Sequence, residues 1–222
     1  MIKIIVAIDE IEFNVFKNII DQLNNKLCII KIGSVSFNAL GHKAITYVAD
    51  KGFKIFLDLK LHDIPNTVSK TISGLISLPI SMMTIHVSGG LKMVKAAQDA
   101  ANESDIKVFG VTALTSLSDN DTQSIFKRTA SEQVDVMLDL AEEARLDGVV
   151  CSPHELELVK KRNTLLSITP DIRLSKSQDD QSRVMTPKEA ISKGADYIVI
   201  GRPITNAPNL SEALQEIYNS IR

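Results

Sequence analysis

The amino-acid sequence predicts a single (β/α)₈ barrel that spans residues 1–222. Eight short apolar runs, rich in Val, Ile and Leu, alternate with segments of helical spacing along the chain. Within the runs, apolar residues follow one another instead of alternating with polar ones, which is typical of parallel strands covered by helices on both faces. An open doubly wound sheet shares this local pattern, but the glycine-rich segment that usually follows its first strand is absent.

The apolar runs and two helix starts define the predicted order of elements. The runs are Ile2–Ile8, Cys28–Ile32, Ile55–Leu59, Met83–Val87, Lys107–Thr112, Gly148–Cys151, Leu165–Thr169 and Tyr197–Ile200. Ser152–Glu155 and Thr186–Glu189 each combine an N-cap hydroxyl, a proline at the first helical position and a capping-box glutamate. The polar segment Pro170–Met185 is long for a connection in a compact domain, and we expect it to act as a lid.

Composition and charge narrow the class of protein. The chain has 222 residues, 44% of them hydrophobic and 23% charged, a net charge of −2 and scattered basic residues. These values are ordinary for a one-domain globular protein and argue against a nucleic-acid surface. The apolar run Ile4–Ile8 is too short for a signal peptide or a membrane span, and Cys28 and Cys151 lie inside apolar runs, as buried free thiols do. We therefore expect a soluble, cytoplasmic protein with no nucleic-acid or membrane partner.

Polar residues fall where the predicted strands end, which in a barrel is the active face. In chain order they are Asp9, Lys31, Asp58, Lys60, His86, Thr115, Ser116, Arg173, Gly201 and Arg202, with Asp63 shortly after the third run. Any one of them can belong to a structural layer of ion pairs. Lys31, Asp58, Lys60 and Asp63 together are better explained as a catalytic cluster, because crowded charges are costly to desolvate and stability alone rarely requires them.

A second group of residues predicts a phosphate site after the seventh and eighth strands. Gly201 lets a ligand approach the backbone closely, and Arg202 offers a planar guanidinium suited to phosphate oxygens. Arg173 and the polar residues Gln178–Arg183 lie one loop earlier, and barrel enzymes often bind phosphate in this region. The four histidines lie apart without the close spacing of a zinc site, so no metal is expected.

The stretch "FLDLKLHDIPNT" at Phe56–Thr67 resembles the D-x-K-x-x-D-I-P-x-T signature of the orotidine 5′-phosphate decarboxylase family. Further matches occur in order along the chain: "AIDE", "KIG", "IHVSGG", "VTALTS", "GVVCS", "TPDIR", "DQSRVMTP" and "IVIGRPIT". The resemblance implies a TIM barrel that converts orotidine 5′-monophosphate into uridine monophosphate and carbon dioxide in pyrimidine biosynthesis. It also implies that the reaction needs no cofactor or metal ion.

The resemblance implies a role for each residue of the charged cluster. Asp9 and Lys31 would hold the ribose hydroxyls, and Asp58 would lie beside the carboxylate of the substrate. Lys60 would protonate the pyrimidine carbon that loses carbon dioxide. The spacing Asp-x-Lys-x-x-Asp is then explained by an ammonium that Asp58 and Asp63 hold in place between them.

The remaining roles implied by the resemblance concern the base, the phosphate and a second subunit. Asp63 and Thr67 would reach into the site of the neighbouring subunit, which makes the enzyme a homodimer with shared active sites. Thr115 would contact the pyrimidine ring. The phosphate would be bound by Arg173, Gln181, Gly201 and Arg202. The loop 173–183 would close over the nucleotide.

The sequence departs from the family pattern at two places. Asp171 stands where the family usually has glycine, and the segment after "KIG" lacks the usual Met-Glu. Aspartate tolerates a left-handed backbone better than most residues, so we expect the turn to survive. The added negative charge is expected to weaken phosphate binding.

Two alternative functions remain at this point. Magnesium-dependent sugar-phosphate decarboxylases and lyases use the same barrel and a similar Asp-x-Lys-x-x-Asp, but they tend to carry glutamate where this chain has Lys31. A cation there argues against magnesium, which needs oxygen ligands. The other alternative is a nucleotide-binding protein without catalysis, and the presence of all the catalytic residues argues against it.

Overall fold

Eight parallel strands close into a barrel in chain order, with the last strand paired to the first. The computed structural model describes residues 2–173 and 185–222. The strands are β1 (Ile4–Ile8), β2 (Cys28–Gly33), β3 (Ile55–Leu61), β4 (Met82–His86), β5 (Lys107–Val111), β6 (Gly148–Val150), β7 (Leu166–Thr169) and β8 (Tyr197–Ile200). The predicted (β/α)₈ fold is confirmed. The first and last residues of each predicted strand differ by at most two positions from those of the observed strand.

Helices cover the outside of the barrel between successive strands. They are α1 (Phe13–Gln22), α2 (Ser34–Leu40), α3 (His42–Asp50), α4 (Pro65–Leu75), α5 (Leu91–Ala101), α6 (Asp119–Phe126), α7 (Ala130–Glu143), α8 (Leu156–Lys160), α9 (Pro187–Ser192), α10 (Arg202–Thr205) and α11 (Leu210–Ser220). The predicted caps at Ser152 and Thr186 are both present, although the first turn after Ser152 is a 3-10 helix. None of the helices within residues 2–173 and 185–222 has the length and apolarity needed to cross a membrane.

The hydrophobic core has two parts. The larger part lies between the strands and the surrounding helices, and the smaller part contains residues of the strands themselves, including Ile5, Phe56, Phe109 and Tyr197. The rings of Phe56 and Phe109 are 6.4 Å apart, and those of Phe109 and Tyr197 are 6.2 Å apart. Edge-to-face rings of this kind fill a barrel interior densely. These rings form the apolar layer beneath the polar residues at the strand ends.

Strand β3 is irregular beside β4, and this irregularity positions the site. Leu57 pairs with Met83 and Leu61 pairs with Ile85, so three residues of β3 lie opposite Thr84 alone. Extra residues of this kind form a bulge that bends the strand and redirects its side chains. Lys60 lies in the bulge with a left-handed backbone, φ +52°.

A packing constraint on β6 provides a test of the barrel geometry. A Cβ atom at Gly148 would overlap the carbonyl oxygen of Leu166 and lie 2.7 Å from the ring of Phe109. We expect Gly148→Ala to lower the free energy of unfolding by about 1–3 kcal/mol, as overpacking usually does. Gly74→Ala is the control, because a Cβ there has no atom within 4 Å. Urea titrations followed by circular dichroism compare the two, and equal midpoints would contradict the packing argument.

Candidate active site

A buried carboxylate, Asp58, lies at the centre of the polar cluster on the carboxyl-terminal face of the barrel. Its side chain is 9% exposed, and its Oδ2 atom lies 2.8 Å from Nζ of Lys60 and 3.2 Å from Nζ of Lys31. Its Oδ1 atom accepts a hydrogen bond of 2.8 Å from Oγ1 of Thr84. Asp9 lies at the edge, with Oδ1 4.0 Å from Nζ of Lys31. The structure therefore brings together four residues predicted from the sequence: Asp9, Lys31, Asp58 and Lys60.

The two ammonium groups decide the charge of Asp58. Burial by itself would raise the pKa of this carboxyl group, but the positive charges of Lys31 and Lys60 oppose that effect. Hydrogen bonds from Lys60 and Thr84 act in the same direction, and the net result is a pKa below the usual range. Asp58 is therefore ionised at neutral pH, although it is almost fully removed from water.

Local backbone features fix the orientation of Lys60 and leave space for the side chain of Lys31. The backbone N–H of Lys60 donates to Oγ1 of Thr84 at 2.9 Å, and its side chain is 35% exposed towards the open face. A Cβ atom at Gly33 would lie 3.1 Å from Nζ of Lys31 and 3.2 Å from Oδ1 of Asp9. Glycine at the end of β2 thus leaves the space in which Lys31 and Asp9 approach each other.

Thr84 is a polar residue of the site that the sequence reasoning missed. It is fully buried on β4 and bonds to both Asp58 and Lys60. The sequence does contain a signal for this residue, because Thr84 is the only hydroxyl residue in the apolar run "MMTIH". The pattern alone did not show which neighbours it would meet, since this depends on the irregular pairing of β3 with β4.

Two adjoining cavities open from the charged cluster. The inner one has a volume of about 220 Å³ and lies against Asp58 and Lys60. Its wall is mostly apolar and is formed by Phe56, Val111, Ala113, Leu114, Val150, Cys151, Ile168, Pro170 and Val199, together with Thr115. The outer cleft has a volume of about 620 Å³ and shares Lys31, Pro170 and Val199 with the inner cavity. Lys31 thus lies where the apolar pocket meets the polar cleft.

The outer cleft contains most of the residues predicted to bind phosphate. Arg173, Gly201 and Arg202 line it, together with the cation of Lys31 and the carboxylate of Asp171. Several guanidinium and ammonium groups around one cleft suit an anion with several oxygens, such as a phosphate. Gln181 and residues 174–183 of the predicted lid lie outside the described residues.

Asp171 has the left-handed backbone conformation that was expected for the turn at this position. Its φ is +61°. The next residue, Ile172, forms an isolated parallel bridge with Met185, and the N–H of Arg173 donates to the carbonyl of Met185 at 3.1 Å. The predicted turn is therefore present, with an added carboxylate in the lining of the basic cleft.

Asp63 and Thr67 do not join the cluster of their own chain. Both are exposed, and Oδ1 of Asp63 accepts a hydrogen bond from the N–H of Ile64 at 2.6 Å. Asp58 is the carboxylate that lies within 4.0 Å of Lys60 in the described part of the chain. The predicted contact between Asp63 and a neighbouring subunit therefore stays a prediction.

The histidines contribute no metal site in the part of the chain that the structure describes. Within residues 2–173 and 185–222, no group of three His, Cys, Asp or Glu residues is arranged to hold a metal ion. The rings of His62 and His86 lie 5.3 Å apart beside the cluster. Burial lowers the pKa of His86, and the nearby charges of His62 and Lys60 lower it further. His86 is thus neutral at pH 7.

The fold and the site define a (β/α)₈ barrel enzyme with a lysine–aspartate centre beside a basic cleft. A model of the orotidine 5′-phosphate decarboxylase / HUMPS family matches residues 3–217, and the chain belongs to this family.

Comparisons with individual proteins agree with this assignment. The chain is 41% identical over 221 residues to orotidine 5′-phosphate decarboxylase of Saccharophagus degradans, covering 97% of this chain and 93% of the relative. It is 43% identical over 222 residues to the Ehrlichia chaffeensis enzyme of the same name, covering 98% and 96%. The crystal structure of orotidine 5′-phosphate decarboxylase from Lactobacillus acidophilus superimposes with a TM-score of 0.86 and 33% identity over 100% of both chains.

The lowered pKa of Asp58 predicts a dependence of stability on pH. A carboxyl group whose pKa is depressed by folding contributes stability above its unfolded pKa of about 3.9, and this contribution is lost as the pH falls through the lower folded value. We expect the difference in unfolding free energy between wild type and Asp58→Asn to be constant above about pH 5 and to shrink below about pH 4. Urea titrations between pH 7 and pH 2.5 measure it. A difference that stays constant to pH 2.5 would contradict the assignment of the charge.

Proposed function

We propose that this protein decarboxylates orotidine 5′-monophosphate to uridine 5′-monophosphate and carbon dioxide in pyrimidine nucleotide synthesis. One observation carries the proposal: the ionised Asp58 and the ammonium of Lys60, 2.8 Å apart, line an apolar pocket that adjoins a basic cleft at Lys31. The proposal is supported by about 40% identity to enzymes of this name over nearly the whole chain.

The two cavities suit the two ends of a nucleotide. The inner pocket of about 220 Å³ suits a flat pyrimidine ring, with Thr115 beside its polar edge. The outer cleft suits the phosphate, which Arg173, Gly201 and Arg202 would bind together with Gln181. Lys31, at the junction of the two cavities, and Asp9, 4.0 Å away in the lining of the outer cleft, would bind the ribose hydroxyls.

Lys60 performs the central proton transfer in this mechanism. The bond between the ring carbon and its carboxylate breaks, carbon dioxide leaves, and the electron pair stays on the ring carbon. The ammonium of Lys60 stabilises this negative charge and then donates a proton to the carbon, which gives the product base. Solvent returns a proton to the lysine before the next turnover.

Asp58 serves mainly to hold Lys60. Its repulsion of the substrate carboxylate accounts for only a limited part of the rate enhancement. Two unit charges about 4 Å apart interact with roughly 4 kcal/mol at an effective dielectric constant near 20. This corresponds to about three powers of ten in rate. Since Lys31 and Lys60 already neutralise Asp58 in part, a preorganised ammonium must supply much of the remaining rate enhancement.

Phosphate binding in the outer cleft contributes to the chemistry at the base. Contacts to Arg173 and Arg202 are made far from the reacting carbon, so their binding energy can be used to stabilise the transition state at the base. The carboxylate of Asp171 in the same lining works against the phosphate. This chain would therefore bind its substrate less tightly than one with glycine at that position.

The active unit in this proposal is a homodimer of single-domain subunits, each a barrel of residues 1–222. Ile11, Val35 and Ile64 follow β1, β2 and β3 and are 62%, 48% and 65% exposed, which supports an apolar interface on this face. Asp63 and Thr67 lie on the same side and would enter the site of the second subunit. Buried free thiols at Cys28 and Cys151 suit a reducing cytoplasm.

The direct test is turnover of orotidine 5′-monophosphate by the purified protein in excess chelator. We expect the ultraviolet absorbance of the pyrimidine to change and mass spectrometry to identify uridine monophosphate. Lys60→Ala should lower kcat by about 10²–10⁴-fold or more, because the variant lacks both the acid and the cation. Lys26→Ala, at an exposed position outside both cavities, is the matched control and should retain full activity.

The outcome of this assay separates the possible functions. Full activity of Lys60→Ala would contradict the assigned acid. No turnover with chelator, but turnover of a sugar-phosphate acid with magnesium, would replace the proposal with the metal-dependent chemistry of the same barrel. Nucleotide binding without any turnover would identify a binding protein.

The shared active site is tested by mixing inactive variants. Lys60→Ala and Asp63→Ala, refolded together in equal amounts, should recover about a quarter of the wild-type activity. Half of the dimers are then mixed, and one of the two sites in each mixed dimer carries Lys60 from one chain and Asp63 from the other. Lys60→Ala mixed with Asp58→Asn is the control and should recover nothing, because both defects lie in the site of their own chain. Equal recovery in the two mixtures would contradict a contribution of Asp63 across the interface.

A further inference from the structure

We infer that Thr84 is a positioning residue for the reaction, whose single hydroxyl fixes both the carboxylate of Asp58 and the backbone of Lys60. The inference rests on the proposed function, since it assumes that Asp58 and Lys60 carry the chemistry. Thr84 would not touch the substrate in this arrangement. It would act through the two groups that do.

The geometry leaves one way to arrange the hydrogen bonds of Thr84. The backbone N–H of Lys60 can only donate, and it lies 2.9 Å from Oγ1 of Thr84. An ionised carboxylate can only accept, and Oδ1 of Asp58 lies 2.8 Å from the same Oγ1 atom. The hydroxyl proton of Thr84 must therefore point at Asp58. Thr84 is fully buried, so water does not compete for either bond.

The bulge in β3 explains why Lys60 requires this partner. Between the pairs Leu57–Met83 and Leu61–Ile85, three residues of β3 face Thr84 alone on β4. The regular ladder is interrupted at Lys60, and the side chain of Thr84 accepts the N–H that a strand carbonyl would otherwise accept. A left-handed lysine is uncommon and persists where its surroundings hold it. The hydroxyl is the contact from β4 that holds it.

The same hydroxyl controls the orientation of the Asp58 carboxylate. Oδ2 lies near Lys60 and Lys31, and Oδ1 is bonded to Thr84. With both oxygens engaged, the carboxylate plane is fixed, and so is the direction in which Lys60 presents its ammonium. Without the hydroxyl, Oδ1 loses its partner and the carboxylate can turn towards either lysine.

The titratable groups around Asp58 come from its own strand and from the strands near it. They are Lys31 from β2, Lys60 from β3, the neutral His86 at the end of β4, and Asp9, which follows β1 and faces Lys31. The hydrogen bond from Thr84 helps to lower the pKa of Asp58. Loss of this bond should move the acid limb of the pH–kcat profile to higher pH, because Asp58 then takes up a proton more readily.

The test compares Thr84→Val, which keeps the shape but removes the hydroxyl, with Thr84→Ser, which keeps the hydroxyl. For Thr84→Val we expect kcat for orotidine 5′-monophosphate to fall by about 10–100-fold, with KM changed by less than about threefold. Thr84→Ser should recover kcat to within about fivefold of wild type. The acid limb of the pH–kcat profile should move upward for valine and remain in place for serine.

Thr112→Val is the matched control, because it also removes a buried threonine hydroxyl from the barrel. Oγ1 of Thr112 donates to the carbonyl of Val150 at 2.9 Å and does not contact Asp58 or Lys60. It should retain kcat and its pH profile even if its unfolding midpoint falls. If Thr84→Val proves insoluble, Thr84→Ala carries the same prediction for kcat and for the acid limb.

The outcomes distinguish this inference from the proposed function. If Thr84→Val has the kcat of the wild type while Lys60→Ala is inactive, the inference is overturned and the proposed function is left intact. Equal losses in Thr84→Val and Thr84→Ser, or in Thr84→Val and Thr112→Val, would also overturn it, because the hydroxyl at this position would then have no special role. An active Lys60→Ala would overturn the role of Lys60 and the inference together.

Discussion

The ion cluster around Asp58 is the constraint on which the rest of the site depends. A carboxylate with a 9% exposed side chain loses most of its hydration, and such a loss is tolerated only when opposite charges and hydrogen bonds replace the water. Lys31 and Lys60 approach one oxygen, and Thr84 donates to the other. Removal of any partner would leave a buried charge incompletely compensated. The same contacts that make the burial possible hold the ammonium of Lys60 in one place.

The barrel supplies this cluster by bringing the ends of neighbouring strands together. Lys31 and Asp58 come from strands that pair directly, in the register Lys31–Phe56 and Gly33–Asp58. The ring of Phe56, one side-chain layer below Asp58, belongs to the apolar filling of the barrel. The closely packed apolar interior and the bulge in β3 together place Lys60 at the mouth of the barrel and not within the regular part of the sheet.

In the proposed function, substrate recognition and chemistry take place in different parts of the site. The basic cleft, with Arg173 and Arg202, lies on the far side of Lys31 from the pocket that contains Asp58 and Lys60. Such a division allows contacts to a remote phosphate to stabilise the transition state at the base. Asp171 adds an acidic residue to the lining of this cleft, and its backbone has the left-handed turn that glycine would provide more easily.

The sequence by itself determined the eight strands, the barrel and the identity of most polar groups at its mouth. Continuous apolar runs can be buried only between layers, and polar residues in the last part of a run or just after it must lie near the carboxyl-terminal strand ends, as Asp9, Lys31, Asp58 and Lys60 do. The tertiary structure alone decided that Thr84 bonds to both Asp58 and Lys60 and that Lys60 is left-handed. These features arise from the irregular pairing of β3 with β4, and a pairing register depends on both strands at once, which no local pattern in either strand specifies.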